Sequence, residues 1–226
     1  MFEKGMIQVA GVSDRAEAEM LIASGVHYLG FPLRLPVNAE DLSEAEAAAL
    51  IADLPAGVHG VLITYLDKAE EIVAFCRELG VSIVQLHGAV DIEELVKIRM
   101  AAPTLVIIKS LVVRGDNLDE LKVIIGTSAP FVDAYITDTF DPASGAEGAT
   151  GMTHDWAIDR ALVAMSPRPV ILAGGLNPDN VAEAIRQVRP LGVDVHTGIE
   201  GADGRKDAGL TRRFVNEAKR GFAGID

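Results

Sequence analysis

The chain has 226 residues, of which 49% are apolar, and its 33 Asp and Glu residues outnumber its 20 Lys and Arg residues. A net charge of −13 argues against binding to nucleic acid or to an anionic membrane, both of which need clustered cations. The length suits one α/β barrel, and the few aromatic residues among many Ala, Val, Ile and Leu are typical of parallel strands buried on both faces.

The single cysteine and the N-terminus predict a cytoplasmic protein. One cysteine, Cys76, cannot form an intrachain disulfide, which suits a reducing compartment. It lies in a helical pattern, where we expect it to be a small packing residue. The N-terminus shows no basic segment followed by an apolar run, and no apolar segment reaches the length of a bilayer span.

The hydrophobic period alternates between strand and helix eight times along the chain. Short β-branched runs are followed by amphipathic segments that begin at capping residues or end at glycines. The predicted strands are Ile7–Ala10, Tyr28–Phe31, Gly60–Thr64, Ile83–Leu86, Leu105–Lys109, Ala134–Thr137, and runs beginning at Pro169 and Gly192. The other helices begin near Ser13, Ser43, Asp67, Asp91, Leu118, Asp155 and Leu210, and a further one is expected after the glycines Gly174-Gly175 that end the seventh strand.

Eight strand–helix units with short connections predict a single (β/α)8 TIM barrel, with residues 1–226 as one domain. The alternative is an open doubly wound sheet, whose dinucleotide-binding version needs G-x-G-x-x-G after the first strand. The chain reads Ala10-Gly11-Val12-Ser13 there, which does not match.

The last two predicted strands end in glycine-containing loops, at Gly174-Gly175 and at Thr197-Gly198. Glycine lets backbone N–H groups approach an anion closely, and a following helix N-terminus adds partial positive charge. Barrels of this class commonly hold a phosphate after strands seven and eight. The sequence therefore predicts a phosphorylated small-molecule ligand in the C-terminal quarter.

Ordered segments over nearly the whole chain resemble the phosphoribosylanthranilate isomerase family of tryptophan biosynthesis. They are Gln85–Gly88, Val132–Thr139, Gly148–Gly151, Asp155-Trp156, Ala173–Arg186, Gly192–Val195 and Lys206-Asp207. The resemblance implies an Amadori rearrangement of a phosphorylated ribosylamine, in which an acid opens the sugar ring and a base removes the C2 proton. It also implies that Asp138 is the acid and that Gly151 joins the phosphate site.

Several positions depart from the family pattern. The family base is a cysteine in a Lys-Ile-Cys-Gly segment, which here reads Gln8-Val9-Ala10-Gly11, so Ala10 marks a lost base. An arginine that pairs with the anthranilate carboxylate is replaced in the segment Asn38-Ala39-Glu40, although Arg34 lies nearby. The final family Ser-Ser-Gly reads His196-Thr197-Gly198. The substrate therefore need not be phosphoribosylanthranilate.

Other polar residues follow the predicted strands and are further candidates. His87 and His196 are each either a structural residue or a replacement base, and a histidine pKa near 6.5 suits proton abstraction. Lys109 is either a partner for Asp138 or, less simply, a Schiff-base lysine. His154 is expected on a loop surface, and the pair His27 and His59 at the opposite end of the barrel.

Two functions remain open from the sequence. The first is an intramolecular isomerase of the aldose–ketose type, acting on a phosphorylated sugar derivative. The alternative is a catalytically degenerate phosphosugar-binding barrel with a sensing or structural role. No H-x-x-x-H pattern or cysteine pair indicates a metal, no cofactor is expected, and the chain is expected to be a monomer or a homodimer.

Overall fold

The computed structural model describes residues 2–36, 40–115, 117–139 and 156–225, and it confirms the (β/α)8 barrel. Eight parallel strands close in chain order, with β8 paired to β1. The strands are β1 Met6–Ala10, β2 Tyr28–Pro32, β3 His59–Thr64, β4 Ile83–Leu86, β5 Val106–Val113, β6 Ala134–Thr139, β7 Val170–Leu172 and β8 Gly192–Val195. The helices are α1 Arg15–Ala23, α2 Glu44–Ala52, α3 Ala69–Leu79, α4 Ile92–Ala101, α5 Leu118–Ser128, α6 Trp156–Met165, α7 Val181–Val188 and α8 Ala208–Ala223.

The strands separate two apolar cores because successive side chains point to opposite faces. On β1, Ile7 and Val9 pack in the outer core beneath the helices, whereas Met6 and Ala10 belong to the inner core that fills the barrel. Residues of the inner parity near the carboxyl end of each strand therefore line one mouth of the barrel.

Helix ends follow their local chemistry, with one correction to the prediction. Ser43 caps α2 through a complete capping box with Glu46. The cap of α1 is Asp14 rather than Ser13, because the Asp14 side chain accepts the Glu17 N–H at 2.8 Å.

The single cysteine, Cys76, lies on the buried face of α3. Cys76 is buried, and burial raises the pKa of its thiol to about 12, so it stays protonated and packs as predicted. No helix within the described ranges combines the length and the hydropathy needed to cross a membrane.

Candidate active site

Polar side chains gather at the mouth where the parallel strands end. The inner parity of β6 brings Asp138 to this end, and the residue that follows β4 brings His87. Both residues are buried, with 9% and 7% of their surface exposed. A buried carboxyl beside an imidazole is a suitable arrangement for proton transfer.

Asp138 is held from two directions. Its Oδ2 lies 3.4 Å from His87 Nε2, and its Oδ1 accepts the Thr139 N–H at 2.8 Å. His87 Nδ1 lies 3.0 Å from Ser110 Oγ, and the ring meets Tyr65 edge-on at 4.8 Å between centroids. The contact with His87 and the hydrogen bond from Thr139 act on different oxygens of the carboxyl group, so together they fix its orientation.

A second carboxyl group, which we did not predict, faces the same space from β8. Asp194 is the Cα partner of Gln8 on β1, and the Gln8 amide donates to Gln85 Oε1 at 2.8 Å. Burial, with the Asp138 charge adding to it, raises the pKa of Asp194 to about 7. The sequence signal was a lone carboxylate inside the apolar run Gly192–Val195.

Ala10 lies at the mouth end of β1 with 8% of its surface exposed, on the inner side. The next residue, Gly11, has φ of +76°, and a Cβ built there would lie 2.3 Å from His196 Nε2. His196 therefore packs directly over the end of β1, at a position that only glycine leaves open.

His196 belongs to a group of charges between β8 and α1. Its Nε2 lies 3.7 Å from Glu200, and Glu200 accepts from Lys206 Nζ at 2.7 Å. Burial and the Lys206 charge lower the pKa of His196 to about 4, so the ring is neutral at physiological pH. Glu17 accepts the Lys206 backbone N–H at 2.9 Å, which ties this loop to α1.

The two glycine loops touch each other. Gly174 and Gly175 have φ of +99° and +61°, and a Cβ on Gly198 would lie 1.9 Å from the Leu176 carbonyl oxygen. A 3₁₀ turn, Thr197–Ile199, follows β8. Within the described parts of the chain, the N–H groups of Gly175, Thr197 and Gly198 have no hydrogen-bond acceptor. These groups can receive an anion.

Lys109 was predicted to end the fifth strand, which would place its side chain at the mouth beside Asp138, but it lies within β5. β5 continues to Val113, and Lys109 shares the outer parity of Ile107 and Leu111. Its Nζ donates to the Gly88 carbonyl oxygen at 3.4 Å, and burial lowers its pKa. Lys109 therefore supports the loop after β4 from behind the barrel wall.

Arg34 is engaged on the helix side of the loop after β2. Its guanidinium pairs with both oxygens of Glu44, at 2.8 and 3.0 Å, and its Cζ lies 3.7 Å above the Phe75 ring. Glu40 accepts the Arg34 backbone N–H at 2.5 Å. Arg34 is thus not poised to replace the missing carboxylate partner.

Some predicted site residues lie outside the described residues. These are Gly151 and His154, with Asn38 and Ala39 of the loop after β2 and Asp155 before α6. His59 begins β3 and stacks on Tyr28 at 5.1 Å, at the end of the barrel opposite the mouth, as predicted. In the ranges that the structure covers, no group of three or more His, Cys, Asp or Glu side chains is placed to hold a metal ion.

Comparison with known proteins identifies the family. Residues 7–217 match the family model described as N-(5'phosphoribosyl)anthranilate (PRA) isomerase. The N-(5'-phosphoribosyl)anthranilate isomerase 2 of Methanosarcina mazei is 38% identical over 220 residues, which cover 96% of this chain and 95% of that protein.

Two solved structures agree with this match. The phosphoribosyl anthranilate isomerase of Thermotoga maritima superposes with a TM-score of 0.80 at 29% identity, covering 95% of this chain and 98% of that one. A structure of the enzyme in complex with reduced 1-(o-carboxyphenylamino)-1-deoxyribulose 5-phosphate gives 0.78 at 27% identity, with the same coverage of each chain. The chain belongs to the phosphoribosylanthranilate isomerase family.

Proposed function

We propose that this protein is an intramolecular isomerase that rearranges a phosphorylated ribosylamine into the corresponding amino-deoxyketose phosphate. The observation that carries the proposal is the meeting of a buried carboxyl, Asp138, with two touching glycine loops at the same barrel mouth. A phosphosugar bound there has its phosphate over the glycine loops and its reacting carbons beside Asp138. Phosphoribosylanthranilate is the first substrate to test, because the relatives carry that name.

Asp138 acts as the general acid in this proposal. Its proton passes to the ring oxygen, the bond between that oxygen and C1 breaks, and the nitrogen lone pair forms the C1=N bond. The contact at 3.4 Å to His87 and the hydrogen bond to Thr139 hold the carboxyl in one orientation. Positioned acids and bases typically contribute about 10²- to 10⁴-fold to a rate.

The phosphate site is proposed for the C-terminal quarter of a single barrel domain spanning residues 1–226. The N–H groups of Gly175, Thr197 and Gly198, which have no acceptor among the residues that the structure describes, support it, as does the bracing of the first loop. Asn180 donates to the Gly175 carbonyl oxygen at 2.9 Å and accepts the Asn177 N–H at 2.8 Å. Gly175→Asp should abolish binding of phosphorylated ligands, by charge repulsion and by strain at φ of +61°. Retained affinity would contradict this placement.

The non-phosphate half of the substrate is a separate proposal. The family pattern has an arginine in the loop after β2 that pairs with the substrate carboxylate. Here that loop carries Glu40, and its Arg34 is already paired with Glu44, so we infer that this half of the substrate is held by other contacts. A phosphoribosylamine with a neutral or cationic aglycone should then compete with phosphoribosylanthranilate. A preference of more than about tenfold in kcat/KM for the anthranilate compound would contradict this inference.

A second candidate function is a phosphosugar-binding barrel without catalysis, and Ala10 favours it because a methyl group cannot accept a proton. Turnover of phosphoribosylanthranilate by the purified chain, with Asp138→Asn as control, separates the two. Turnover that is lost in the variant supports the isomerase. Binding of the phosphosugar without turnover in either protein supports the alternative. All site residues named come from one chain, so a monomer or a homodimer serves either function.

A further inference from the structure

An isomerase of the proposed kind needs a base as well as an acid, and among the described residues the inner face of β8 brings a second carboxyl group, Asp194, to the mouth of the barrel. Asp194 comes from β8, whereas Asp138 comes from β6, with β7 between them. The register pairs Ile136 with Ile171 and Ile171 with Gly192. Two residues further along each strand, Asp138, Ala173 and Asp194 therefore lie at one level of the barrel.

The two carboxyl groups flank a small side chain. Neighbouring strands are about 4.8 Å apart, so the Cα atoms of Asp138 and Asp194 are roughly 10 Å apart across Ala173. The only side chain that β7 places between them at this level is the methyl group of Ala173, which belongs to the inner core. The placement is close enough for the Asp138 charge to act on Asp194.

One oxygen of Asp194 lacks a partner. Asp194 Oδ1 is shielded from solvent and has no hydrogen-bond partner among the described residues, and the same holds for Gln8 Oε1 beside it. Buried acceptors without partners are rare in folded proteins. An unused, shielded carboxylate oxygen at the mouth is a site for a proton that arrives with the ligand.

We propose that Asp194 is the base that removes the C2 proton, a role that rests on the isomerase function proposed above. After ring opening, the C2–H bond breaks and the proton moves to Asp194. The electron pair forms the C1=C2 bond, and the C1=N electrons return to nitrogen to give an enolamine. The enolamine then loses its C2 hydroxyl proton and gains a proton at C1, which yields the ketone.

The surroundings of Asp194 fit a group that gains and loses a proton. The charged groups that act on it are Asp138 from β6 and Lys206 from the segment before α8, and Gln8 from β1 hydrogen-bonds to it. The repulsion by Asp138 and the attraction by Lys206 oppose each other. The two carboxyl groups interact and so titrate as a pair, and in the form that has the proton on Asp138 the Asp194 carboxylate is ionised and able to accept a proton.

The test compares Asp194→Asn with Asp138→Asn in the full chain, using phosphoribosylanthranilate with hydrogen or deuterium at C2. Asparagine keeps the shape of aspartate and cannot accept the proton. We expect kcat to fall about 10²- to 10⁴-fold in Asp194→Asn, with a larger primary isotope effect because proton removal becomes limiting. In Asp138→Asn ring opening limits, so the isotope effect should shrink. Asp119→Asn, which removes an exposed carboxylate on α5, should leave kcat unchanged.

Binding of the reduced carboxyphenylamino-deoxyribulose phosphate checks that the site is intact. Unchanged affinity in Asp194→Asn, with the losses above, supports the role as base. A kcat within about threefold of the parent, or an affinity that falls in step with kcat, would overturn it while leaving the isomerase in place. A parent protein that binds the analogue but never turns over the substrate would remove both the isomerase and this role.

Discussion

The two sides of the barrel mouth differ in how far their polar atoms are satisfied. On the β4–β6 side, Asp138, His87 and Ser110 form a chain of contacts at 3.4 and 3.0 Å. On the β7–β8 side, the glycine-loop N–H groups and Asp194 Oδ1 have no partner among the described residues. A buried polar atom without a partner, such as Asp194 Oδ1, is costly, and the half-buried loop N–H groups are open to an acceptor. The β4–β6 side is therefore held by its own contacts, whereas the β7–β8 side has polar groups that a ligand can satisfy.

The largest expected effect is on the satisfied side. Asp138→Asn removes the proton that opens the sugar ring, and asparagine can still accept the Thr139 N–H, so the fold should persist. We expect kcat for phosphoribosylanthranilate to fall about 10²- to 10⁴-fold with little change in analogue affinity. Steady-state kinetics and calorimetric binding measure the two quantities. A variant that keeps its rate would move the acid elsewhere.

The next largest effect is a partial rescue of Asp194→Asn by a second substitution, Ala10→Cys, on the neighbouring strand β1. Ala10 and Asp194 are inner-side residues of adjacent strands, so a thiolate at position 10 reaches the same space as the Asp194 carboxylate. We expect Ala10→Cys to recover about tenfold of the rate lost in Asp194→Asn, because a positioned base of either kind serves. In the parent background Ala10→Cys should gain little. Ala10→Ser, which has similar volume and no ionisable thiol, is the control.

Most of the fold could be predicted from the sequence because each strand has its own β-branched run and most helices begin at a capping residue or end at a glycine. β5 was read too short, since Lys109-Ser110 looked like a strand end although the apolar run resumes and continues to Val113. A strand that ended at Lys109 would have placed this side chain at the mouth, which is why it was considered as a partner for Asp138. Only the register with β6, where Ser110 pairs with Ile136, fixes which face it occupies.

Part of the candidate site could be predicted from the sequence. Asp138 and the glycine loops lie at or just after strand ends, and strand ends can be recognised from the local sequence. Asp194 was missed because the lone carboxylate in the run Gly192–Val195 indicates a site only once β8 is known to pair with β1, next to Gln8. The engagement of Arg34 by Glu44 and Phe75 was equally hidden, since it joins α2 and α3 to the loop after β2.

A smaller effect is expected where the two glycine loops touch. Gly198→Ala places a Cβ 1.9 Å from the Leu176 carbonyl oxygen, so one loop must move. We expect KM to rise about tenfold for each N–H contact to the phosphate that is lost, and stability to fall by about 1–3 kcal/mol. Gly126→Ala, on α5 with no atom within 4 Å of the new Cβ, is the matched control and should not lose activity. Equal KM values in both variants would contradict the loop contact.

The smallest effect is on stability, and its sign follows from the pKa of Asp194. That pKa is about 7 in the folded chain against an ordinary value of 3.8 for an exposed aspartate, so between pH 4 and pH 7 the folded state binds more protons than the unfolded state. Stability from this group is therefore full below pH 4 and is lost as pH rises through 7.

Asp194→Asn is neutral at every pH, so its melting temperature should exceed that of the parent by several degrees at pH 8 and match it near pH 4. The His196 contribution, which falls between pH 6.5 and about 4, is present in both proteins and cancels in the difference. Thermal unfolding at the two pH values measures the effect. A melting-temperature difference of the same size at both pH values would mean that asparagine acts through packing. Ionisation of buried Asp194 would then not destabilise the fold. A melting-temperature gain that appears only at pH 8 would instead show that the parent protein is less stable because it keeps an ionisable proton acceptor at this position.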